Sequence, residues 1–302
     1  MNKIKFSIIV PIAPERKAEI LKSLNELDYN KDEYEIIVEK GTNASENRNK
    51  GIKKAQGEII AFIDDDALLD KNWLKIAEKF FMDYPDIDIV GGPQLTPEND
   101  SIFGKCTGYA LSSFLGGAII RDRYKKSKIN LAADERDLTS ANMFCKKKIF
   151  ENTLFNPEFW PGEDPTFFNE CIETGLKLVY SPDIIIYHKR RGTLNRLAKQ
   201  IFNYGYVRPK IKKIKKTEKA SILFAIPSIF LLYIILFPML YNINKFLIIP
   251  LYIYLILVLF LSIVGAIKEK NIFGILLIPI IFITIHLSYG LGYLLSYSTK
   301  KQ

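Results

Sequence analysis

The chain has 302 residues, 48% hydrophobic and 25% charged, and a formal net charge of +9 at pH 7. The charge is concentrated, because the segment between His188 and Lys219 contains twelve Lys and Arg against one Glu. A long apolar run follows this segment and no base-reading motif accompanies it, which argues for anionic lipids and against nucleic acid as the partner. The three cysteines are widely spaced and odd in number, which indicates reduced thiols rather than a disulfide framework or a zinc site.

The first part of the chain alternates between strand and helix patterns. Short apolar, β-branched runs predict strands at Phe6–Val10, Tyr34–Val38 and Glu58–Ile63. Helical spacing and caps predict helices at Glu15–Leu27, Asn43–Gln56 and Asn72–Tyr84. This alternation predicts a parallel sheet with its ligand at the carboxyl ends of the strands.

Three consecutive carboxylates, Asp64, Asp65 and Asp66, follow the third predicted strand directly. Like charges repel one another, so such a cluster is tolerated when a divalent cation neutralises it, and oxygen ligands favour Mg²⁺ or Mn²⁺. The usual partner of such a cation is a diphosphate. Acidic and amide residues at a strand end also cap helices, and Asp70 or Asn72 could do so here. Both interpretations of the acidic segment stay open on these residues alone.

The pattern becomes irregular between residues 92 and 138, which receive no assignment. The flanking sequence predicts strands at Asp88–Gly91, Ala141–Lys147, Leu176–Tyr180 and Ile184–His188, and helices at Glu163–Thr174 and Thr193–Tyr204. A second acidic pair, Glu163 and Asp164, opens one of these helices. Asp164 could cap that helix, with Pro165 at its first position.

The last part of the chain is nearly continuously apolar. Its length predicts three membrane-spanning helices at about 221–241, 246–267 and 273–297, separated by short polar turns. The predicted organisation is a domain at 1–206, a basic juxtamembrane linker at 207–219, a transmembrane region at 220–298 and a tail at 299–302. The positive-inside rule places the basic segment, and with it the region 1–219, on the cytoplasmic side.

Six short motifs follow one another through the first two thirds of the chain: Ser7–Pro11, Glu35–Thr42, Arg48–Gly51, Gly57–Asp66, Ala141–Phe144 and Gly162–Asp164. Each is weak alone, but their order and spacing resemble those of the family 2 glycosyltransferases, which use nucleotide sugars and have the GT-A fold. The resemblance implies an α/β fold for 1–206, with a mixed, mainly parallel sheet flanked by helices, followed by C-terminal transmembrane helices.

The resemblance also implies a metal site and a donor site. The family's DXD motif falls on Asp64–Asp66, with Asp66 on the cation, Mn²⁺ or Mg²⁺, and His188 completing its shell. A lone histidine at a strand end is equally a hydrogen-bonded structural residue. The implied donor-binding residues are Pro11, Ala13, Glu15, Glu39, Arg48, Asp64, Asp65, Arg190 and Arg191. Lys40 departs from the family's acidic turn and leaves the nucleotide base open. The alternative for Arg48 is a solvated position on a polar helix. The alternative for His188, Arg190 and Arg191 is the basic, membrane-facing surface.

The general base of the family falls on Asp164, beside Glu163. Adjacent carboxylates raise one another's pKa, whereas a helix N-terminus favours the anion. The acceptor side is assigned to Asn142, Trp160, Gln200 and Tyr204, with core packing as the alternative for the two aromatic residues. The chain lacks the Arg-Trp pair of processive members, which indicates transfer of one sugar per encounter.

These expectations combine into a membrane-anchored, metal-dependent, inverting glycosyltransferase. Its donor is a nucleotide sugar and its acceptor is a hydroxyl of a lipid-linked saccharide, as in surface glycan or glycoprotein precursor assembly. One alternative is a polyprenyl-phosphate glycosyltransferase, whose anionic acceptor has less need of Asp164. The others are a non-catalytic membrane scaffold with a degenerate transferase domain and a nucleic-acid-binding membrane protein.

Overall fold

A computed structural model describes residues 4–159, 162–214 and 221–298. The chain divides into two compact units. The first contains the chain up to Pro97 and Asp122–Lys189, and the second contains Glu98–Arg121 and the chain from Arg190 onward. The predicted domain boundary at 206/207 remains a prediction.

The described strands are β1 (Phe6–Ile12), β2 (Tyr34–Lys40), β3 (Ile59–Ile63), β4 (Ala67–Leu69), β5 (Ile89–Gly91), β6 (Gln94–Leu95), β7 (Asn142–Lys146), β8 (Leu178–Tyr180) and β9 (Ile186–His188). The described α-helices are α1 (Ile20–Asn25), α2 (Ala44–Lys54), α3 (Trp73–Asp83), α4 (Ile102–Ser112), α5 (Glu163–Glu173), α6 (Leu194–Ile214), α7 (Ser221–Ile243), α8 (Ile249–Lys268) and α9 (Gly274–Ser298).

The first unit is built on a six-stranded sheet in the order β2-β1-β3-β7-β5-β8. Strand β7 runs antiparallel to β3 and β5, and the other neighbouring pairs are parallel. Strands β1 and β3 are buried along their whole length, as their uninterrupted apolar sequences require between two helical layers. One core cluster includes Trp73 of α3, and the other includes Phe167 of α5. The predicted mixed, mainly parallel sheet flanked by helices is confirmed.

One difference from the predicted elements lies between β1 and β2. Helix α1 begins at Ile20 instead of Glu15, so residues 13–19 form a loop. The backbone N–H of Ile20 donates to the carbonyl oxygen of Asp65 at 3.0 Å. The first free donor of the helix is therefore satisfied by the acidic turn rather than by an earlier turn of helix.

A second sheet of three short strands has the order β4-β9-β6. Strand β4 was not predicted, because Ala67–Leu69 is too short to show a period. It pairs antiparallel with β9, with Ala67 opposite His188. This register brings together the segments around Ala67 and His188, which lie far apart in sequence.

The second unit is organised around α9. Helices α4, α6, α7 and α8 all pack against it. Three helical segments, 222–243, 245–268 and 274–297, are long and apolar enough to cross a membrane, which confirms the predicted C-terminal transmembrane helices. Helix α6 continues to Ile214, ten residues beyond the predicted end at Tyr204.

A polar contact within the apolar helices centres on His286 of α9. Its Nδ1 lies 2.8 Å from the hydroxyl of Tyr254 in α8, and its Nε2 lies 2.8 Å from the carbonyl oxygen of Leu115. Since a carbonyl oxygen only accepts, Nε2 carries the proton and Nδ1 accepts from Tyr254. Leu115 follows α4, so residues from the unassigned stretch 92–138 are tied to the apolar helices.

Close packing of α6 on α9 requires glycine at Gly292. A Cβ at this position would collide with the backbone oxygen of Phe202 in α6. We expect Gly292→Ala to destabilise the second unit by about 1–3 kcal/mol, because the helices must separate. Gly192→Ala is the control, since a Cβ there meets nothing within 4 Å. Thermal unfolding in detergent should show a lower midpoint for Gly292→Ala alone, and equal midpoints would contradict the packing argument.

Candidate active site

The acidic residues of the first unit meet at one edge of the large sheet. Asp64, Asp65 and Asp66 form the turn between β3 and β4. Strand β7 runs antiparallel to β3 with Asn142 opposite Ile63, so the chain just before β7 lies at the same edge. The carboxyl end of β3 and the amino end of β7 therefore frame one site.

The register of β4 on β9 brings His188 to the acidic turn. His188 Nε2 lies 2.7 Å from Oδ1 of Asp66, across 122 positions of sequence. One ligand atom each from Asp64, Asp66 and His188 lie within 4.8 Å of one another. Two carboxylate oxygens and an imidazole nitrogen suit a cation such as Mn²⁺.

Both oxygens of Asp66 carry a hydrogen-bonding partner. His188 meets Oδ1, and Nη2 of Arg16 donates to Oδ2 at 2.6 Å. Nη1 of Arg16 also lies 3.1 Å from Oδ1 of Asp65. Burial alone would raise the pKa of the Asp66 carboxyl, but the hydrogen bonds and charges of His188 and Arg16 outweigh burial and lower that pKa below its usual value. Asp66 is therefore an anion.

A metal ion fits this group of residues on two observations. The ligand atoms already converge, and Oδ2 of Asp65 is buried without a hydrogen-bond partner among the described residues. A buried carboxylate oxygen without a partner costs free energy, and such groups concentrate at functional sites. The predicted metal ligands Asp66 and His188 are thus brought together, with Asp64 as a third.

Arg48 connects the acidic turn to the second acidic pair. The residue is 4% exposed, and its Nη1 donates to Oε1 of Glu163 at 2.8 Å. Its Nη2 lies 3.8 Å from Oδ1 of Asp64, and its guanidinium sits 5.3 Å from the ring centre of Phe155. The alternative of a solvated helix residue is wrong for Arg48, which lies buried between carboxylates from two distant segments.

The charges of both acidic segments act on Asp64. Burial raises the pKa of its carboxyl, and the charges of Asp66 and Asp164 raise it further, while His188 and Arg48 oppose the rise. The pKa of the Asp64 carboxyl is raised overall. The two acidic segments therefore lie within electrostatic reach of each other in the first unit.

Asp164 is held at the start of α5, and one of its two carboxylate oxygens has no hydrogen-bond partner among the described residues. The helix begins at Glu163 after Gly162, whose φ of 130° favours glycine. Asp164 is thus inside the first turn rather than the cap that was the alternative. Its Oδ2 accepts from the backbone N–H of Ser140 at 3.0 Å, while its Oδ1 is buried without a partner among the described residues.

Removing the charge of Arg48 should destabilise the first unit. We expect Arg48→Met to cost about 3 kcal/mol, because it leaves the buried Glu163 and the half-buried Asp64 without their shared cation. Lys53→Met is the matched control on the same helix, since Lys53 is exposed. Thermal unfolding should separate the two variants by several degrees, and equal midpoints would show that Arg48 has no such structural role.

The nucleotide residues predicted near the first two strands lie at their carboxyl ends. Pro11 is buried in β1, while Ala13 and Glu15 lie in the following loop. Glu39 is 7% exposed and its Oε1 accepts from Nζ of Lys54 at 2.5 Å. Glu39 is therefore paired within the protein, a contact that the sequence did not indicate.

The prediction of an acceptor-side role for Asn142 is wrong in this geometry. Asn142 is 0% exposed, and its Oδ1 accepts from Nε1 of Trp73 at 3.1 Å. Its Nδ2 donates to the carbonyl oxygens of Ile184 and Pro93 at 2.7 and 3.4 Å. Because its amide is used by three elements of the core, Asn142 is a structural residue. The predicted acceptor residue Trp160 lies outside the described residues.

Four predicted site residues belong to the second unit. In Arg190 the backbone N–H donates to Oδ2 of Asp100 at 2.9 Å, and Arg191 is exposed. Gln200 and Tyr204 bond each other along α6, with Nε2 to hydroxyl at 2.9 Å. Their predicted roles toward donor and acceptor stay predictions.

Arg16 is the residue of this site that sequence reasoning did not single out. It contacts Asp65 and Asp66 across the loop that was predicted to be helical. The available signal was a basic residue directly after Glu15, in the segment that follows β1. A helix starting at Glu15 would have hidden it.

The part of the chain that contains most of the six motifs matches the model of a known family. Residues 13–154 match the model of glycosyl transferase family 2. The predicted resemblance is confirmed over these residues, and the chain also has helices long and apolar enough to span a membrane. No curated protein matches the sequence.

Several solved structures are similar to this chain. The mannosyltransferase PcManGT from Pyrobaculum calidifontis, in complex with GDP-Man and Mn²⁺, is 17% identical with a TM-score of 0.50 over 70% of this chain and 65% of its own. S. aureus TarS is 17% identical, with a TM-score of 0.47 over 66% of this chain and 40% of its own. TarS 1–349 in complex with UDP-GlcNAc is 17% identical, with a TM-score of 0.47 over 68% of this chain and 66% of its own. This chain thus spans less than two thirds of each of these proteins. The predicted GT-A fold is confirmed.

Proposed function

We propose that this protein is a membrane-anchored, metal-dependent, inverting glycosyltransferase. The observation that carries the proposal is the convergence of two acidic segments around Arg48, which bridges 115 positions of sequence to Glu163 and also reaches Asp64. In the same two segments, Oδ2 of Asp65 and Oδ1 of Asp164 are buried without a partner among the described residues, a cost in free energy that a non-catalytic scaffold has no reason to bear. The proposal therefore takes precedence over the scaffold alternative.

Asp64, Asp66 and His188 are the residues that would hold the cation, Mn²⁺ or Mg²⁺. When bound, the cation neutralises the donor's diphosphate and supports the departing nucleotide. Arg48 stays within the protein and holds the first carboxylate of the acidic turn in place relative to α5. The donor is a nucleotide sugar, and GDP-mannose and UDP-GlcNAc are the first two to test.

Asp164 is the proposed general base. The backbone N–H of Ser140 fixes Oδ2 of Asp164. The unpartnered Oδ1 takes the proton from an acceptor hydroxyl while the oxygen of that hydroxyl attacks the anomeric carbon. The attack and the departure of the nucleotide occur in a single displacement, so the configuration at the anomeric carbon inverts. Glu163 acts as a positioning residue, because it is bonded to Arg48.

The membrane helices set the class of acceptor. Twelve Lys and Arg lie between His188 and the start of α7, which supports a cytoplasmic catalytic domain at a surface of anionic lipids. A hydroxyl of a lipid-linked saccharide, in surface glycan or glycoprotein precursor assembly, is the acceptor that such a tether delivers. This part of the proposal rests on location.

The test uses the full-length chain in detergent with MnCl₂. Thermal unfolding first identifies the nucleotide sugar that stabilises the protein, since a specific ligand raises the midpoint. That donor, radiolabelled, is then offered with a lipid-linked saccharide or with bare polyprenyl phosphate. Transfer to the saccharide supports the proposal, and transfer to bare phosphate establishes the polyprenyl-phosphate alternative. If no nucleotide sugar gives metal-dependent transfer or donor hydrolysis, the alternative of a non-catalytic membrane scaffold is supported.

A further inference from the structure

Arg16 occupies the position at the acidic turn where positive charge is needed. Its Nη2 lies 2.6 Å from Oδ2 of Asp66 and its Nη1 lies 3.1 Å from Oδ1 of Asp65. The charges of all three aspartates of the turn, together with the hydrogen bond to Asp66, raise the pKa of the Arg16 guanidinium. The charge of Arg16 therefore acts on all three carboxylates of the turn.

The backbone keeps Arg16 at this place while leaving its side chain free to move. The N–H of Arg16 donates to the carbonyl oxygen of Ala13, and the N–H of Ile20 donates to that of Asp65, both at 3.0 Å. These bonds hold the loop on the acidic turn. The side chain of Arg16 is 45% exposed, so it can leave Asp66 without unpacking the core.

A divalent cation and Arg16 compete for the same carboxylate. The oxygens of Asp66 already accept from His188 and Arg16, so a cation that binds Oδ2 must take the place of the guanidinium. A guanidinium that stayed beside the cation would be repelled by it at short range. Binding of one therefore opposes binding of the other.

We propose that Arg16 stands in for the cation at the acidic turn, and that it exchanges Asp66 for the donor's diphosphate when the cation binds. This inference rests on the cation site of the proposed function. A guanidinium pairs with phosphate oxygens as readily as with a carboxylate, and Arg16 lies at the carboxyl end of β1, where a ligand of this sheet type binds. Cation and donor thereby bind together, because each removes a cost of binding the other.

The experiment compares wild type with Arg16→Gln and Lys17→Gln in the full-length chain. Lys17 is the matched control, since it is the adjacent exposed residue and its substitution removes the same charge. MnCl₂ affinity is measured by calorimetry without nucleotide, and UDP and GDP affinities are measured at saturating MnCl₂. Both substitutions lie in an exposed loop, and unchanged thermal midpoints verify the fold.

The proposal predicts changes of opposite sign for the two ligands. Arg16→Gln should bind Mn²⁺ about tenfold more tightly than wild type and the nucleoside diphosphate about tenfold more weakly, as expected for coupled binding. Lys17→Gln should change both affinities by less than about twofold at physiological salt. General damage to the site would weaken both ligands together.

Each other outcome has a distinct meaning. Equal or weaker Mn²⁺ binding by Arg16→Gln than by Lys17→Gln overturns the competition, while Mn²⁺ binding by wild type leaves the proposed cation site intact. Tighter Mn²⁺ binding with unchanged UDP and GDP affinities overturns the exchange to diphosphate. If wild type binds no Mn²⁺ at all, the cation site of the proposed function fails and this inference fails with it.

Discussion

Replacing Asp164 with Asn is expected to lower kcat by about 10³-fold on a hydroxyl acceptor, within the range of general base catalysis. Asparagine keeps the size of the side chain and an oxygen that can accept from the N–H of Ser140, so the start of α5 should be preserved. It cannot take a proton. Affinities for the nucleotide sugar and for Mn²⁺ should therefore stay within about threefold of wild type, because Asp164 is not among the grouped metal ligands.

Glu170→Gln is the control for this measurement, because Glu170 lies on the same helix outside the site. It should retain wild-type kcat. On bare polyprenyl phosphate the Asp164→Asn substitution should have little effect, since that acceptor is already an anion. A kcat within tenfold of wild type on a hydroxyl acceptor would show that another group is the base.

Replacing Asp66 with Asn is expected to remove metal binding and turnover together. Mn²⁺ affinity should fall at least about 100-fold, more than the loss of an outer-shell partner produces. Because the cation supplies several kcal/mol of charge stabilisation, kcat/KM should fall by about 10³-fold or more. Calorimetry with MnCl₂ and a transfer assay on the same preparation measure the two effects.

Asp65→Asn provides the control within the same turn. Asp65 faces Arg16 and is not part of the group formed by Asp64, Asp66 and His188. Its substitution removes the same charge one position away, so Mn²⁺ affinity should fall by less than about tenfold. Equal losses in the two variants would mean that the turn acts through its total charge rather than through a defined ligand.

Much of the first unit could be predicted because its signals are local. Uninterrupted apolar runs such as Ile59–Ile63 place a strand between two layers, and the three carboxylates that follow mark its carboxyl end. The pair Glu163 and Asp164 could likewise be placed at a helix start from their own neighbours. A helix was predicted from Asn43, and Asn43 caps α2 by accepting from the N–H groups of Ser45 and Glu46.

The contacts of the candidate site depend on register, so the residues alone could not predict them, and only the family resemblance placed His188 with Asp66. Whether His188 meets Asp66 is decided by β4, a strand of three residues that shows no period. The sequence left Arg48 open between a donor-binding residue and a solvated position on a polar helix, and only the position of α5 shows that it is buried against Glu163. A polar residue in a helix gives no local sign of the partner that a distant segment will bring to it.

The same dependence on distant partners explains why no elements could be assigned between residues 92 and 138. Its helix α4 belongs to the unit of the apolar helices and packs on α8 and α9, whereas the sequence on either side belongs to the first unit. The carbonyl oxygen of Leu115 accepts from His286, which lies 171 positions further along the chain. A partner at that separation leaves no pattern in the segment itself.

The sequence by itself determined an acidic strand end, a second acidic pair and apolar helices of membrane-spanning length, because composition and periodicity are properties that each segment carries on its own. The order and spacing of six motifs carried the resemblance to the family 2 glycosyltransferases. Only the tertiary structure decided that Asp66 is shared by His188 and Arg16, that Arg48 joins the two acidic segments, and that Asn142 serves the core. Those outcomes depend on strand register and helix packing, which exist only once distant segments of the chain are in contact.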